Sequence, residues 1–149
     1  MIRPAAPDDA PAIAALIRLA FAQPPVLLDP PPSALRETTE SVAAHLARGG
    51  GAVMDGVRAA VLWEERGGDL YVHRLAVHPD WRRHGYARAL MAAAEAEARR
   101  RGLPRLHLGV RLALAGNRAL FASLGFRETV QHRHDGYRHP TWTEAEKSL

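Results

Sequence analysis

The sequence contains no cysteine, and lysine occurs only once, at Lys147. Without cysteine the chain has no disulfides, no thiolate metal ligands, no iron–sulfur ligation and no cysteine nucleophile. No apolar run approaches the roughly 20 residues that a membrane helix needs, and the first residues lack the pattern of a secretory signal peptide. We therefore expect a cytoplasmic protein without a membrane partner.

The positive charge of the chain comes from arginine. Of 149 residues, 20 are basic and 16 acidic, and the high sequence pI of about 10.3 reflects the very basic guanidinium group. The arginines are spread along the chain, and no stripe of them lies beside base-reading or stacking side chains, so no nucleic-acid partner is predicted. Length and a hydrophobic fraction of 47% favour one globular domain over residues 1–149.

Hydrophobic periodicity predicts the order β-α-α-β-β-β-α-β-α-β-β. We predict strands over residues 2–5, 52–54, 58–66, 70–77, 106–110, 126–134 and 141–147, and helices over residues 9–21, 33–48, 85–101 and 114–124. Five prolines make 23–32 an exposed loop. The fold class is therefore α/β (α+β), with a central mixed, mostly antiparallel sheet and helices on both faces. The strands at 70–77 and 106–110 are expected to be parallel because a helix connects them.

The segment Leu75–Leu90 carries the clearest chemical pattern. A strand ends at Val77, a tight turn follows, and a long helix begins at Gly85. The first amides of a helix lack internal partners, and the helix dipole attracts anions. Arginine side chains add charge at Arg82, Arg83 and Arg88. The pattern predicts a phosphate-binding site that is neither a P-loop nor a dinucleotide fingerprint, since both glycine patterns are absent.

This segment resembles the acyl-CoA-binding motif of the GNAT superfamily of N-acetyltransferases, Gln/Arg-x-x-Gly-x-Gly/Ala at the start of a helix. Here Arg82, Gly85 and Ala87 fill the motif. The stretch Asn117–Phe126, a short helix ending in Gly-Phe, is similar to the second motif of the family. Because the predicted element order is also similar, the resemblance covers nearly the whole chain.

The resemblance implies that acetyl-CoA is the co-substrate and that its pyrophosphate lies on the backbone of the motif. Its pantetheine arm would add along an open strand edge, in a space where the strands at 70–77 and 106–110 splay apart at a bulge. The Val77 amide would act as the oxyanion donor. Asn117 would hold the pantetheine or the sulfur end, or simply cap its helix. The implied cofactor-binding residues are Leu75, Ala76, Val77, Arg82, Arg83, His84, Gly85, Tyr86, Ala87, Arg88, Asn117 and Phe121.

The implied reaction is direct attack of a primary amine on the thioester, which requires a proton acceptor. His73 is the candidate base, because strand alternation would place Tyr71, His73, Leu75 and Val77 on one face. This placement is similar to the paired histidines of the arylalkylamine N-acetyltransferases. A His satisfied by a neighbour on a half-buried strand is the alternative. Glu64 or Glu65 is a second candidate, and one of the two must point outward.

A departure from the family pattern concerns the proton for the leaving thiolate. Many members carry Tyr four residues before the Gly of Gly-Phe, whereas this chain has Phe121. Tyr137 is the candidate substitute acid, although a surface Tyr of a hairpin loop is the commoner role. His132, His134 and His139 are not expected to hold a metal, since alternation turns Asp135 to the other strand face.

Two functions follow as hypotheses from these patterns. The first is an acetyl-CoA-dependent N-acetyltransferase acting on a primary amine of a small molecule or peptide in a ternary complex. The second is a non-catalytic acyl-CoA-binding or protein-interaction module on the same fold, which Phe121 brings into consideration. The identity of the acceptor and the choice between monomer and homodimer stay open at this point.

Overall fold

The computed structural model describes all 149 residues as one seven-stranded sheet with helices on both faces. The strands are β1 (Ile2–Pro4), β2 (Gly50–Met54), β3 (Ala59–Arg66), β4 (Asp69–Val77), β5 (Arg105–Arg111), β6 (Arg127–His132) and β7 (Trp142–Ser148). The helices are α1 (Ala10–Phe21), α2 (Thr39–Arg48), α3 (Tyr86–Arg100) and α4 (Ala115–Ser123). The predicted fold class is confirmed. No helix combines the length and apolarity needed to cross a membrane.

The strand order is β1-β2-β3-β4-β5-β7-β6, and every neighbouring pair is antiparallel except the parallel pair β4 and β5. The last strand therefore inserts between β5 and β6. The predicted strands over 126–134 and 141–147 are joined through a turn at residues 135–136, but β6 ends earlier, at His132, and β7 begins at Trp142.

The predicted helix over residues 33–48 is two separate elements. A short 3-10 turn covers Ser33–Arg36, and α2 begins only at Thr39. Thr38 caps α2: its hydroxyl accepts from the Ser41 amide at 3.1 Å, and the Ser41 hydroxyl accepts from the Thr38 amide at 2.8 Å. This reciprocal pair satisfies the amides at the start of the helix, and it stops the earlier turn from continuing.

Two hydrophobic cores lie on opposite faces of the sheet. One core packs α3 and Phe121 of α4 against inward side chains of β2–β5, and the other packs α1 and α2 against the reverse face of β2–β4. Because α1 and α2 extend only as far as β4, the reverse face of β5, β7 and β6 has no helix over it. This face is therefore open to solvent or to a ligand.

Candidate active site

The parallel strands β4 and β5 separate soon after they meet. They pair only at Leu70 with Leu106 and at Tyr71 with His107. Beyond Tyr71 no pairing joins them, so a gap opens between the strands toward the N-terminus of α3. The predicted splay is confirmed, and the gap has its closed end at Tyr71 and His107.

A β-bulge in β4 sits beside this gap. The register with β3 shifts between Ala60 and Leu62, and Arg74 adopts a left-handed φ of 53°. The conformation is costly for a residue with a Cβ, and the Arg74 side chain is held by Glu37, whose Oε2 accepts from Nε at 2.7 Å. Glu37 is 5% exposed. The bulge is therefore anchored by a buried ion pair to the segment that precedes α2.

The bulge overturns the prediction that four residues of β4 share one face. Leu75 and Val77 pack into the core beneath α3, whereas the His73 ring lies 4.9 Å from the ring of His45 on α2. Tyr71 stacks on His73 on that same reverse face, with ring centroids 5.5 Å apart. The extra residue at the bulge shifts the alternation, so His73 and Leu75 lie on opposite faces of the sheet.

Backbone amides of β4 face the gap where the pantetheine arm was predicted. The His78 amide donates to the Arg58 carbonyl at 2.8 Å, so antiparallel alternation pairs Ala76 with β3 and turns the amides of Leu75 and Val77 toward the gap. Val77 therefore meets the geometric requirement for a donor, and Leu75 presents a second one nearer the closed end.

The start of α3 lies at the open end of the gap and has the backbone geometry expected of an anion site. Gly85 precedes the helix with a φ of 77°, and a Cβ there would meet no atom within 4 Å. The first intrahelical bond is donated by Ala89 to the Gly85 carbonyl. The amides of residues 86–88 therefore have no helical acceptor and point at open space.

The neighbouring arginines divide into two roles. Arg82 donates to the carbonyls of Ala20 at 3.1 Å and Gln23 at 2.8 Å, and thereby caps the end of α1. The prediction that its guanidinium serves phosphate does not fit this geometry. Arg88 donates to the Ser123 hydroxyl of α4 at 2.9 Å. The Arg83 side chain is exposed and makes no hydrogen bond or ion pair within the protein, so it is the cation free to meet an anion.

Aromatic and polar groups surround this anion site. Trp81 lies between Tyr86, at 6.3 Å between ring centroids, and the Arg58 guanidinium, at 4.0 Å from the ring. The ring of His84 lies 5.5 Å from that of Trp81. These contacts hold the loop before α3 in a fixed shape, so the amides at the helix start are preorganised.

The second motif lies on α4, on the same face as α3. Asn117 is the third residue of α4 and is exposed, so its alternative predicted role as the cap of that helix is wrong. Phe121 is buried and packs edge-to-face on Phe126 at 5.7 Å. Its ring contributes to the hydrophobic core, and the predicted contact of Phe121 with the cofactor stays a prediction.

The predicted base His73 is half-buried, and its Nε2 is buried without a hydrogen-bond partner. Burial, with a further contribution from His45, lowers the pKa of His73 to about 4. A titration of His73 near neutrality is therefore not expected. The predicted proton-accepting role of His73 has no support from this environment.

The carboxylates on β3 are both paired with arginine. Glu64 accepts from Arg66 at 2.6 Å on the face that carries Tyr71, and Glu65 faces Arg101 of the α3 end at 3.3 Å. Burial, the largest single influence, would raise the pKa of Glu64, but the hydrogen bonds from Arg66 and the surrounding positive charge together outweigh it and lower the pKa. Glu64, which lies on the same face as Tyr71, is thus a carboxylate whose negative charge is balanced by Arg66. Its predicted role as a base stays a prediction.

Tyr137, the predicted substitute acid, ties two loops together. Its hydroxyl donates to Asp29, and this hydrogen bond raises the pKa of the Tyr137 phenol. Arg111, at the end of β5, donates to the Pro30 carbonyl at 2.8 Å. The first contact holds the proline-rich loop against the segment after β6, and the second holds it against the end of β5. The acid role of Tyr137 stays a prediction.

A pocket of about 220 Å³ opens on the reverse face beside the closed end of the gap. Its lining residues are Tyr71, Gly109, Val110, Arg111, His134 and Trp142. A Cβ on Gly109 would lie 3.2 Å from the Trp142 ring, so any larger residue at this position would require the ring to move. Apart from Tyr71, which was expected beside His73, sequence reasoning missed this pocket, because its residues come from β4, β5, β7 and the segment after β6.

Histidines near this pocket are held by a carboxylate. Glu144 of β7 accepts from Nε2 of His107 at 2.9 Å and from Nε2 of His132. His132 also stacks on Trp142, with ring centroids 4.3 Å apart. No three metal-ligating side chains in the chain are grouped as a metal site would require.

The comparisons with known proteins agree with this geometry. The model of the acetyltransferase (GNAT) family matches residues 13–126, and the chain belongs to that family. It is 42% identical over 60 residues to the ribosomal protein bS18 alanine N-acetyltransferase of Escherichia coli (strain K12), a match that spans 40% of each chain. The sequence match thus covers well under half of the length of that curated relative.

Solved structures extend the likeness to the whole fold. The crystal structure of the ribosomal-protein-S18-alanine N-acetyltransferase from Escherichia coli superposes with a TM-score of 0.78 at 24% identity, over 99% of this chain and 92% of that one. The PaiA N-acetyltransferase from Thermoplasma acidophilum, solved with coenzyme A, gives 0.79 at 16% identity, over 100% and 98%. At such identities the likeness establishes the fold.

Proposed function

We propose that this protein transfers an acetyl group from acetyl-CoA to a primary amine of a peptide or small molecule, with both substrates bound together. The observation that carries the proposal is the separation of β4 and β5 after Tyr71, with free backbone amides along the gap and at its open end. Family membership and the CoA-bound structural neighbour support the choice of donor.

Donor binding is assigned to backbone atoms of one continuous segment. The diphosphate of the donor fits the free amides at residues 86–88 and the unpaired Arg83 guanidinium, since both favour negative charge. The pantetheine arm fits the open edge of β4, where Leu75 and Val77 present their amides. The thioester end then points back along β4 toward the closed end of the gap.

Acceptor binding is assigned to the pocket on the reverse face. It opens where β4 and β5 part, so an amine in it would meet the thioester end of the donor arm. Tyr71 and Trp142 supply aromatic surface that suits an alkyl chain or a cationic amine, and the exposed mouth leaves room for a peptide. A backbone amide of Leu75 or Val77 would stabilise the oxyanion that forms on attack.

The relatives indicate which acceptor should be tested first. The Escherichia coli relative is a ribosomal protein bS18 alanine N-acetyltransferase, so the α-amine of a peptide that begins with alanine is the first acceptor we propose. A cytoplasmic location is also proposed. The absence of nucleic-acid and membrane partners stays a prediction, and so does the possible homodimer.

A non-catalytic acyl-CoA-binding module is the second candidate, and Phe121 is the observation that favours it. Coenzyme A thiolate is a fair leaving group, so the missing phenol does not by itself prevent turnover. The decisive experiment measures release of free CoA with acetyl-CoA and a panel of alanine-, serine- and glycine-initiated peptides and alkylamines. Tight binding of acetyl-CoA in calorimetry without release on any acceptor would favour the second candidate.

A further inference from the structure

A histidine stands at the closed end of the gap, on the acceptor face. His107 is the β5 residue that pairs with Tyr71, the last paired residue of β4. Its ring lies 5.6 Å from the ring of Tyr71, which lines the acceptor pocket. The core-facing residues of β5 are Leu106, Leu108 and Val110, so His107 points to the reverse face.

A carboxylate fixes the orientation and tautomer of this ring. The Glu144 carboxylate accepts from Nε2 of His107 at 2.9 Å, and the pKa of Glu144 is lowered, first by the hydrogen bond from His132. An ionised carboxylate only accepts, so in the neutral imidazole of His107 Nε2 carries the proton and Nδ1 carries the lone pair. That Nδ1 has no partner in the protein and is not buried.

We propose that His107, oriented by Glu144, is the residue that accepts the proton of the attacking amine; this inference rests on the proposed function. His107 would be the catalytic residue, because it meets the substrate, and Glu144 a positioning residue that acts through it. The same arrangement explains how the protein could work with His73 buried and with Phe121 in the second motif.

The proposed step is balanced as follows. The neutral amine attacks the thioester carbonyl carbon, a C–N bond forms, and one N–H proton passes to Nδ1 of His107. The C–S bond then breaks with its electron pair on sulfur, and the imidazolium returns the proton through water to the thiolate. The products are the acetylated amine and CoA, and the histidine ends neutral as it began.

Other charged groups near His107 are already engaged. Glu146 lies opposite it on β7 and accepts from Arg127 at 2.9 Å, and Arg105 on β5 donates to Asp69 at 3.1 Å. From the other strands, Tyr71 and His132 face the His107–Glu144 pair. None of these leaves a free carboxylate at the ring, so Glu144 is the carboxylate that holds His107.

The experiment measures kcat/KM against pH with acetyl-CoA and an alanine-initiated hexapeptide, or the fastest acceptor of the panel. The wild type should show a limb that rises with pH. His107→Ala should lower kcat/KM by about 10²-fold and remove that limb, with the Kd for CoA unchanged. His107→Gln serves as a second variant of similar bulk, and added imidazole should partly restore His107→Ala.

Glu144 and His132 give the matching tests. Glu144→Gln removes the negative charge that favours the imidazolium, so the midpoint of the limb should move to lower pH, a shift that mere loss of packing would not cause. His132→Gln removes the other histidine on the same carboxylate and should lower kcat/KM by less than His107→Ala does, if positioning through Glu144 is its only role.

The outcomes separate this inference from the proposed function. An active wild type whose rate and pH limb survive in both His107 variants would overturn the role of His107 and leave acetyl transfer standing. A wild type that binds acetyl-CoA but acetylates no acceptor of the panel would overturn both. An unmoved limb in Glu144→Gln would overturn the positioning role of Glu144.

Discussion

The two sides of the gap are built in different ways. The proposed donor side uses backbone atoms from one continuous stretch, the end of β4 and the start of α3, supplemented by Arg83, which makes no hydrogen bond within the protein. The acceptor side uses side chains from β4, β5 and β7 and from the segment after β6. A backbone site depends on local conformation, whereas a side-chain site depends on which strands the fold brings together.

The largest expected effect tests the backbone character of the donor side. Gly85→Glu places a charged side chain in the space above the free amides and strains a φ of 77°, so binding of acetyl-CoA should fall by more than 100-fold in calorimetry. Gly102→Glu is the control, because Gly102 has a φ of 71° and equally open surroundings at the opposite end of α3. Equal binding by the two variants would show that the anion site lies elsewhere.

The next effect tests the side-chain character of the acceptor side. Gly109→Val needs space that the Trp142 ring occupies at 3.2 Å, so the KM for the acceptor should rise by about tenfold or more while the Kd for CoA stays constant. Gly116→Val adds the same atoms on α4, where a Cβ meets nothing within 4 Å. An equal rise in the KM of Gly116→Val, or weaker CoA binding by Gly109→Val, would argue against an acceptor pocket at Trp142.

A third test separates two adjacent arginines on the donor side. Arg83→Ala should weaken CoA binding by about tenfold, the magnitude of one charge-assisted hydrogen bond, and leave the melting temperature nearly constant. Arg82→Ala removes the cap on α1 and should instead lower stability by about 1–2 kcal/mol with little change in CoA affinity. The reverse pattern would mean that Arg82 is the phosphate ligand, as sequence alone suggested.

The last test concerns the pH dependence of stability and His73, on the covered part of the reverse face. Because burial lowers its pKa from 6.5 to about 4, the unfolded chain binds its proton first as pH falls. His73 therefore stabilises the fold fully above pH 6.5, and this stability is lost between pH 6.5 and 4, about 3 kcal/mol in all. The melting temperature of His73→Gln should depend less on pH across that window than that of the wild type. An unchanged dependence would contradict the argument that burial lowers the pKa of His73.

Much of the donor side was predictable because it is local. A strand end, a glycine with a left-handed φ and an amphipathic helix occur within the single segment Leu75–Leu90, and free helix-start amides follow from helix geometry alone. The choice between Arg82 and Arg83 was not predictable. It depends on α1, whose last carbonyls happen to reach Arg82 and leave Arg83 free.

The prediction that His73 shares a face with Leu75 was wrong for one physical reason. Strict alternation placed His73 beside Leu75, but the bulge at Arg74 adds a residue and reverses the facing of everything after it. That bulge is held by Glu37, which is 37 residues away in sequence. Periodicity describes a strand in isolation and carries no information about such a distant anchor.

The sequence by itself determined the fold class, the parallel pair of strands and the free amides at the start of α3, since these follow from periodicity, connection length and backbone geometry within short segments. Only the tertiary structure decided the insertion of β7 between β5 and β6, and with it the meeting of His107, Glu144 and Trp142 beside Tyr71. Those side chains become neighbours through strand pairing over long sequence separations. A long-range contact of this kind is selected by the packing of the whole sheet, which no local pattern specifies.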